Sequence, residues 1–335
     1  ELMWDYDSDA GVIVKYGGCG NESSPYWAHY GNQLDILDPR TERWVPRRVG
    51  EVSGGARPKN GCTRSTIYDS KRKRWWFFGG ASSGPYNPWP TGAMGPHSYD
   101  VQTDIMTDHK VSQSVDPGNP GCVMSYSPDH DIAIVPDAGK VYVFNFATAK
   151  WEQRTVTGGP GRLYTYNRTV YVPSMSSFFC VNSGRAWAYS PTSNQWTDLS
   201  PSNPPPTRGS KPGLAYDSRN NVVLFVGGQV SWNSGPFNDM WIYHVQGNNW
   251  EEVTPASGAK PGNEIMCTAY DFRHNVFLMG NPDETLYAYR YKKVAGVGVE
   301  AKIEAKVNGG ITVSPNPMRS SAIIRMTHPN GIIGI

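Results

Sequence analysis

The chain repeats itself. A Tyr, usually followed by Asp, stands ahead of a short apolar run at Tyr6-Asp7, Tyr68-Asp69, Tyr126-Ser127, Tyr171-Val172, Tyr216-Asp217 and Tyr270-Asp271, at spacings of 62, 58, 45, 45 and 54 residues. A Trp recurs later in the units, at Trp44, Trp151, Trp196 and Trp250, with Met106 in the matching place of the second. Two series that keep step mark a supersecondary unit that cannot bury its own faces and must stack on its neighbours. Within each unit the Tyr turn leads to an apolar run such as Trp75-Trp76-Phe77-Phe78 or Val222-Val223-Leu224-Phe225-Val226. Three runs end in a Gly pair, Gly17-Gly18, Gly79-Gly80 and Gly227-Gly228. A loop of variable length follows, then a second run such as Lys140–Phe144, a polar turn such as Gln246-Gly247-Asn248-Asn249, and the Trp. Short apolar runs separated by turn chemistry read as antiparallel sheet. The 36 Gly and 27 Pro among 335 residues fit no mainly helical fold, because Gly costs about 1 kcal/mol and Pro about 3 in a helix interior.

On these residues the chain resembles the kelch repeat, one blade of a β-propeller. The unit Tyr216 to Pro255 carries the pattern most fully: Tyr-Asp, apolar strand, Gly227-Gly228, Asn238-Asp239-Met240-Trp241 and Trp250. The resemblance spans residues 1–292 and implies an all-β, kelch-like propeller of six four-stranded blades, close to the ~50 residues expected per unit. Seven blades stay open, because nothing before Trp4 supplies a closing strand. The Gly pair implies close backbone approach or positive φ where the second strand turns out.

Residues 293–310 read as a linker or as the closing outer strand, with Val297, Val299, Ala301, Ile303, Ala305 and Val307 alternating. Residues 311–335 leave the repeat. Ile311-Thr312-Val313-Ser314-Pro315-Asn316-Pro317 and the strand-like Ala322–Met326 resemble the start of the C-terminal sorting domain of type IX secretion cargo, in shortened form. That resemblance implies an exported protein, extracellular or on the cell surface, with the type IX secretion machinery as a partner. An ordinary terminal β-hairpin is the alternative. The first residues, Glu1-Leu2-Met3-Trp4-Asp5, lack the basic and apolar stretches of a signal peptide, so a leader was removed or the natural start lies elsewhere.

Antiparallel order puts alternate connections of a blade on one side of the disc. Nearly all the length variation falls in the connections 19–32, 46–62, 81–97, 107–121, 199–213, 229–238 and 255–265, which share that side. Long loops on a rigid scaffold are where function concentrates. They carry the aromatic and imidazole side chains of Tyr26, Trp27, His29, Tyr30, Tyr86, Trp89, His97 and Trp232, together with Arg64, Arg162 and Arg208 near the blade entrances. Aromatic faces stack on sugars or on partner side chains, and an arginine ring suits an anionic ligand. The expected partner is a glycan or protein surface, anionic in character. The alternative for each Arg is a structural pairing with a nearby carboxylate, and for the aromatics, packing of the loops themselves.

Charge and motif exclude other classes. Lys and Arg number 31 against 29 Asp and Glu, which gives no basis for nucleic-acid binding by net charge. No apolar run reaches the ~18 residues of a membrane helix. The five Cys show no zinc spacing, and a Cys19–Cys62 bridge or free thiols are both compatible with them. Phosphate-loop, dinucleotide, zinc-protease and serine-hydrolase motifs are missing, so no cofactor or metal is expected. Tyr243-His244 resembles an adjacent ligand pair of galactose oxidase, but it occupies an ordinary third-strand position matched by Phe144-Asn145 and Tyr189-Ser190. The leading expectation is a binding or adhesion module that works through its long-loop side. A lyase on an acidic polysaccharide, with a Tyr or His base and an Arg on the uronate, and a structural part of an extracellular assembly are the alternatives.

Overall fold

A computed structural model describes residues 4–16, 33–38, 43–48, 51–53, 65–78, 96–109, 115, 123–163, 167–231, 234–253, 265, 267–280, 286–292, 312–315 and 322–326. Within these residues the protein is all-β, with six separate sheets and one 3-10 turn at Pro173–Met175. The first sheet runs in chain order through β1 (Trp4–Asp7), β2 (Val12–Tyr16), β3 (Gln33–Asp38) and β4 (Arg43–Arg48). The short β5 (Glu51–Ser53) then crosses to pair in parallel with the outermost strand of the second sheet, which contains β6 (Ser65–Asp69), β7 (Arg74–Phe78), β8 (His97–Asp100) and β9 (Ile105–Asp108). The third sheet has β10 (Ile132–Asp137), β11 (Lys140–Asn145) and β12 (Lys150–Thr155), and the extended segment Val123–Ser127 is joined to it by the bridge Ser127 to Ile132.

The fourth sheet comprises β13 (Thr169–Val172), β14 (Ser177–Asn182), β15 (Arg185–Ser190) and β16 (Gln195–Asp198). The fifth comprises β17 (Ser210–Asp217), β18 (Val222–Gln229), β19 (Met240–His244) and β20 (Asn249–Val253). In the sixth, β21 (Cys267–Asp271), β22 (Val276–Gly280) and β23 (Leu286–Tyr289) are followed in space by β25 (Ala322–Met326) and, beyond it, β24 (Thr312–Pro315). The fourth position of that sheet is thus filled by Ala322–Met326, antiparallel to β23. The stretch Val297–Val307 lies outside the described residues.

Both sequence series are register marks. Five of the six recurring Tyr face the residue seven positions on: Tyr6 faces Ile13, Tyr68 faces Trp75, Tyr171 faces Phe178, Tyr216 faces Val223 and Tyr270 faces Phe277. The Trp series lies one hairpin further out, with Leu37 against Trp44, Tyr99 against Met106, Phe144 against Trp151, Tyr189 against Trp196 and Tyr243 against Trp250. Six of the hairpin turns share one chemistry. The fifth residue after the first aromatic has positive φ at Asp104, Asp131, Asn194, Asn221, Asn248 and Asn275. Asn and Asp tolerate that left-handed conformation best among residues with a side chain. In each case the side-chain oxygen accepts the hydroxyl of the Tyr five residues back, at 2.6–2.9 Å. One bond therefore fixes turn, register and ring orientation together.

Apolar runs are continuous because both faces of each sheet are buried. On β7, Trp75 and Phe77 pack with Val14, Tyr16 and Leu34 of the first sheet, whereas Trp76 and Phe78 pack with Ala133, Val135 and Phe144 of the third. Phe78 meets Phe144 edge-on, centroids 4.7 Å apart. Ile134 and Val143 of the third sheet join Phe178 and Tyr189 of the fourth. Phe179 of the fourth stacks on Tyr243 of the fifth at 4.8 Å, and Leu224 and Ile242 of the fifth pack with Phe277 and Met279 of the sixth. The sixth returns to the first through Leu278 and Leu286 against Trp4, Tyr6 and Ile13. Six apolar layers fill six gaps, and the last gap joins the end of the order to its beginning. This is a β-propeller-like ring.

Candidate functional site

The two ends of the ring differ. At one end lie the tight hairpin turns, and their polar side chains are spent on joining sheets. Tyr6 donates to Asp271 Oδ1 at 2.6 Å, Tyr68 to Asp9 Oδ2 at 2.6 Å and Tyr171 to Asp129 Oδ2 at 2.6 Å, each crossing to a neighbouring sheet. Arg72 binds Asp69 at 2.9 Å and grips Asp131 of the third sheet through Nη1 at 2.8 Å and Nη2 at 2.6 Å. The hydrogen bond from Arg72 holds the Asp131 carboxyl below its ordinary value. Arg219 Nε reaches Phe272 O at 2.8 Å, and Arg273 donates to the carbonyls of Asp9 and Ala10. Burial, and then the carboxylate partners, push the Tyr6, Tyr68 and Tyr126 hydroxyls far above their usual range. These phenols stay protonated and donate.

Along the axis runs a cavity of about 360 Å³, lined by residues from all six innermost segments. The strand edges that meet there are satisfied by side chains. Asp5 accepts the amides of Tyr6 at 2.9 Å and of Tyr68, in the next sheet, at 2.8 Å. Ser65 Oγ accepts the Met124 amide at 2.9 Å. Val123 exchanges amide bonds with Asn167 and Thr169 at 2.8 and 3.0 Å, which joins the third sheet to the fourth. Thr268 Oγ1 accepts the Leu214 amide at 3.0 Å and donates to the Leu214 carbonyl at 2.8 Å, which joins the sixth to the fifth. Asp5 and Arg168 both line the cavity, from the first and fourth sheets. Burial pushes the Asp5 carboxyl up to about 6, against the pull of those two amides and of Arg168. Burial likewise lowers the Arg168 guanidinium, which Cys267 and Asp5 partly offset. Ser125 Oγ and Thr169 Oγ1, also on the lining, are buried and have no hydrogen-bond partner among the described residues.

The other end carries the long connections. Of the residues singled out from the sequence, Tyr26, Trp27, His29, Tyr30, Arg64, Tyr86, Trp89 and Trp232 lie outside the described residues, as do Cys19 and Cys62. Cys180 and Cys267 are buried. His97, Arg162 and Arg208 all stand at the long-connection end, His97 in β8, Arg162 between β12 and β13 and Arg208 just ahead of β17. Arg162 is exposed. His97 begins β8, its side chain 8% exposed and its Nε2 3.7 Å from Asp108 Oδ1. Beside it Ser98 Oγ meets His109 Nε2 at 2.8 Å, and the His109 ring stacks on Trp76 at 4.7 Å. Burial and then the His97 charge hold the His109 imidazole below its usual value.

The Arg208 side chain is fully enclosed. Its guanidinium lies between the rings of Phe225 and Phe237, 4.7 and 4.6 Å from their centroids, and is paired with Asp239, which also accepts Trp241 Nε1 at 2.8 Å. Arg208 Nε and Nη1 have no partner among the described residues. The Gly pair of this unit makes the niche. Gly227 and Gly228 have φ of +61° and +85°, and a Cβ on Gly228 would come within 3.1 Å of Arg208 Cδ. Both reasons anticipated for the motif, positive φ and close approach, therefore operate at once.

Sequence reasoning did not single out Asp5, Ser125, Arg168, Thr169 or Thr268. All stand one to three residues ahead of a recurring Tyr, and nearness to that Tyr is the one trace they leave in the sequence. Tyr243, whose hydroxyl burial pushes up to about 12, donates to Asn248 at 2.8 Å within its turn. His244 Nε2 lies 3.0 Å from Glu251 Oε2. The adjacent pair is thus engaged in local bonds of the fifth sheet. No helix of the described residues is long and apolar enough to cross a membrane.

No protein-family model matches the chain, and no curated protein matches it. Among solved structures it is similar to a novel fungal alcohol oxidase with catalytic diversity among the AA5 family, in complex with copper, at 12% identity and a TM-score of 0.49. That likeness covers 99% of this chain, which spans 64% of the length of the oxidase chain.

Proposed function

We propose that the protein is a six-bladed kelch-like propeller, exported to the cell surface or beyond, that recognises a glycan or protein partner through its long-connection end. One observation carries this reading: the hairpin-turn end is consumed by the bonds that hold the ring together. Tyr6, Tyr68, Arg72, Tyr171 and Arg273 each cross to a neighbouring sheet there. Substitution at that end is therefore expensive, whereas the opposite end carries connections of unequal length with exposed Arg162. Loops on a rigid scaffold can vary without disturbing the sheets. A binding role, rather than base catalysis in the manner of a polysaccharide lyase, is favoured by the protonated state of the ring tyrosines and by the enclosure of His97 beside Asp108. A general base has to reach its target proton.

The Pro315-Asn316-Pro317 segment supports export by the type IX route. Deletion of residues 311–335 followed by cell fractionation tests that part, and undiminished export would remove it. The recognition reading is tested on a glycan array, together with an assay for unsaturated uronate release. Trp27→Ala with Tyr30→Ala should weaken any binding about tenfold or more, as for hot-spot aromatics, and leave the unfolding midpoint in place. Binding that ignores both substitutions, or uronate release, would overturn it.

A further inference from the structure

We propose that the axial cavity is a binding site for a small zwitterion, of the kind represented by a free α-amino acid, held between Asp5 of the first sheet and Arg168 of the fourth. Asp5 of the first sheet and Arg168 of the fourth both line this cavity, and their charges act on one another across it. Its volume of about 360 Å³ falls in the lower range of small-molecule sites, roughly 300–1,000 Å³. A lone anion would meet Asp5 and a lone cation would meet Arg168. A molecule with a carboxylate at one end and an ammonium at the other, turned to suit, answers both.

The hydroxyls give the second, independent observation. Ser125 Oγ and Thr169 Oγ1 belong to neighbouring sheets, line the cavity and have no hydrogen-bond partner among the described residues, with Thr169 only 2% exposed. Buried hydroxyls are ordinarily bonded. Each can accept from an ammonium or donate to a carboxylate. The neighbouring hydroxyl of Thr268 is occupied on both counts by Leu214, whereas those of Ser125 and Thr169 are open to an occupant. Burial disfavours the charged forms of both Asp5 and Arg168; a dipolar ligand relieves both at once. A path exists at the hairpin-turn end, where the cavity lining continues to the turn residues Ser8, Ser70, Pro128, Pro173, Ser218 and Phe272. This site lies within the ring and does not depend on what the long connections bind.

The test uses the full chain with glycine and L-alanine as probes, by titration calorimetry and thermal shift, against acetate and methylammonium as single-charge halves. Saturable binding of a zwitterion, with each half at least about tenfold weaker, supports the site. Thr169→Val and Ser125→Ala should each weaken it about three- to tenfold, the worth of one hydrogen bond, without moving the urea midpoint. Should Thr169→Val fold poorly, Ser125→Ala alone decides. No saturable binding of either zwitterion, equal binding of acetate or methylammonium, or indifference to both hydroxyl deletions overturns the proposal.

Discussion

Thr268→Val tests whether single side chains close the ring. Thr268 is 5% exposed, and its hydroxyl alone answers both the amide and the carbonyl of Leu214, across the gap between the fifth and sixth sheets. Val keeps the shape and β-branching of Thr and removes only the hydroxyl. Packing in the gap is unchanged, so the loss isolates two unsatisfied backbone groups. An unsatisfied buried group costs about 1–3 kcal/mol. Leu214 borders the axial cavity, where water can reach part of the lost bonding, so the expected loss is about 2–4 kcal/mol. Urea unfolding followed by Trp fluorescence should show a lower midpoint at unchanged slope, since the exposed area on unfolding is the same. Thr268→Ser, which keeps the hydroxyl, should lose about 1 kcal/mol, the worth of one methyl group. The reasoning fails if Val is within about 0.5 kcal/mol of the native protein, the usual scatter of neutral substitutions, or if Ser costs as much as Val.

Two further perturbations probe the same architecture. Burial raises the Asp5 carboxyl to about 6, so the folded protein holds that proton more tightly than the unfolded chain. The stabilisation is complete below the ordinary carboxylate value and is lost as pH rises through about 6, up to about 3 kcal/mol for a shift of this size. Compared with Asp5→Asn across that window in urea melts, the native protein should lose relative stability as pH rises; a flat difference would remove Asp5 as the cause. Gly280→Ala places a Cβ against Trp4 Cη2 and 2.6 Å from Cζ2, across the junction of the sixth and first sheets. It should cost about 1–3 kcal/mol as overpacking, with Trp4→Phe restoring about 1 kcal/mol of that in a double-mutant cycle; simple additivity would count against the contact.

The fold was legible because its two aromatic series are tied to register. A Tyr seven residues from its cross-strand partner and a Trp one hairpin outward recur wherever the pairing recurs, so spacing alone exposes the repeat. The contiguous apolar run Trp75-Trp76-Phe77-Phe78 likewise announces a sheet buried on both faces. Less legible was the turn chemistry: Asp131, Asn221 and Asn275 look like ordinary turn residues until their hydroxyl partners five positions earlier are seen. The outer strand of the sixth sheet was hidden for another reason. Ala322–Met326 pairs with Leu286–Tyr289 across a long stretch of chain, and no local pattern encodes a distant partner. Arg208 shows the limit of composition at a candidate site. Near a blade entrance it reads as a ligand contact or as a structural partner of a carboxylate, and Phe225, Phe237 and Asp239 enclose it. The axial lining escaped notice because Asp5, Ser125 and Thr169 are unlike one another, and only the ring brings them to one place.

Among the described residues, the junction between the last sheet and the first is made without a shared strand. Trp4 lies over Gly280, Tyr6 reaches Asp271, and Arg273 holds the carbonyls of Asp9 and Ala10. The same four-residue strand also supplies Asp5 to the second sheet. A single short segment is therefore the clasp of the whole necklace, fastened on both sides at once. Releasing it frees two neighbours together, so any opening of this segment loosens both of its seams at once.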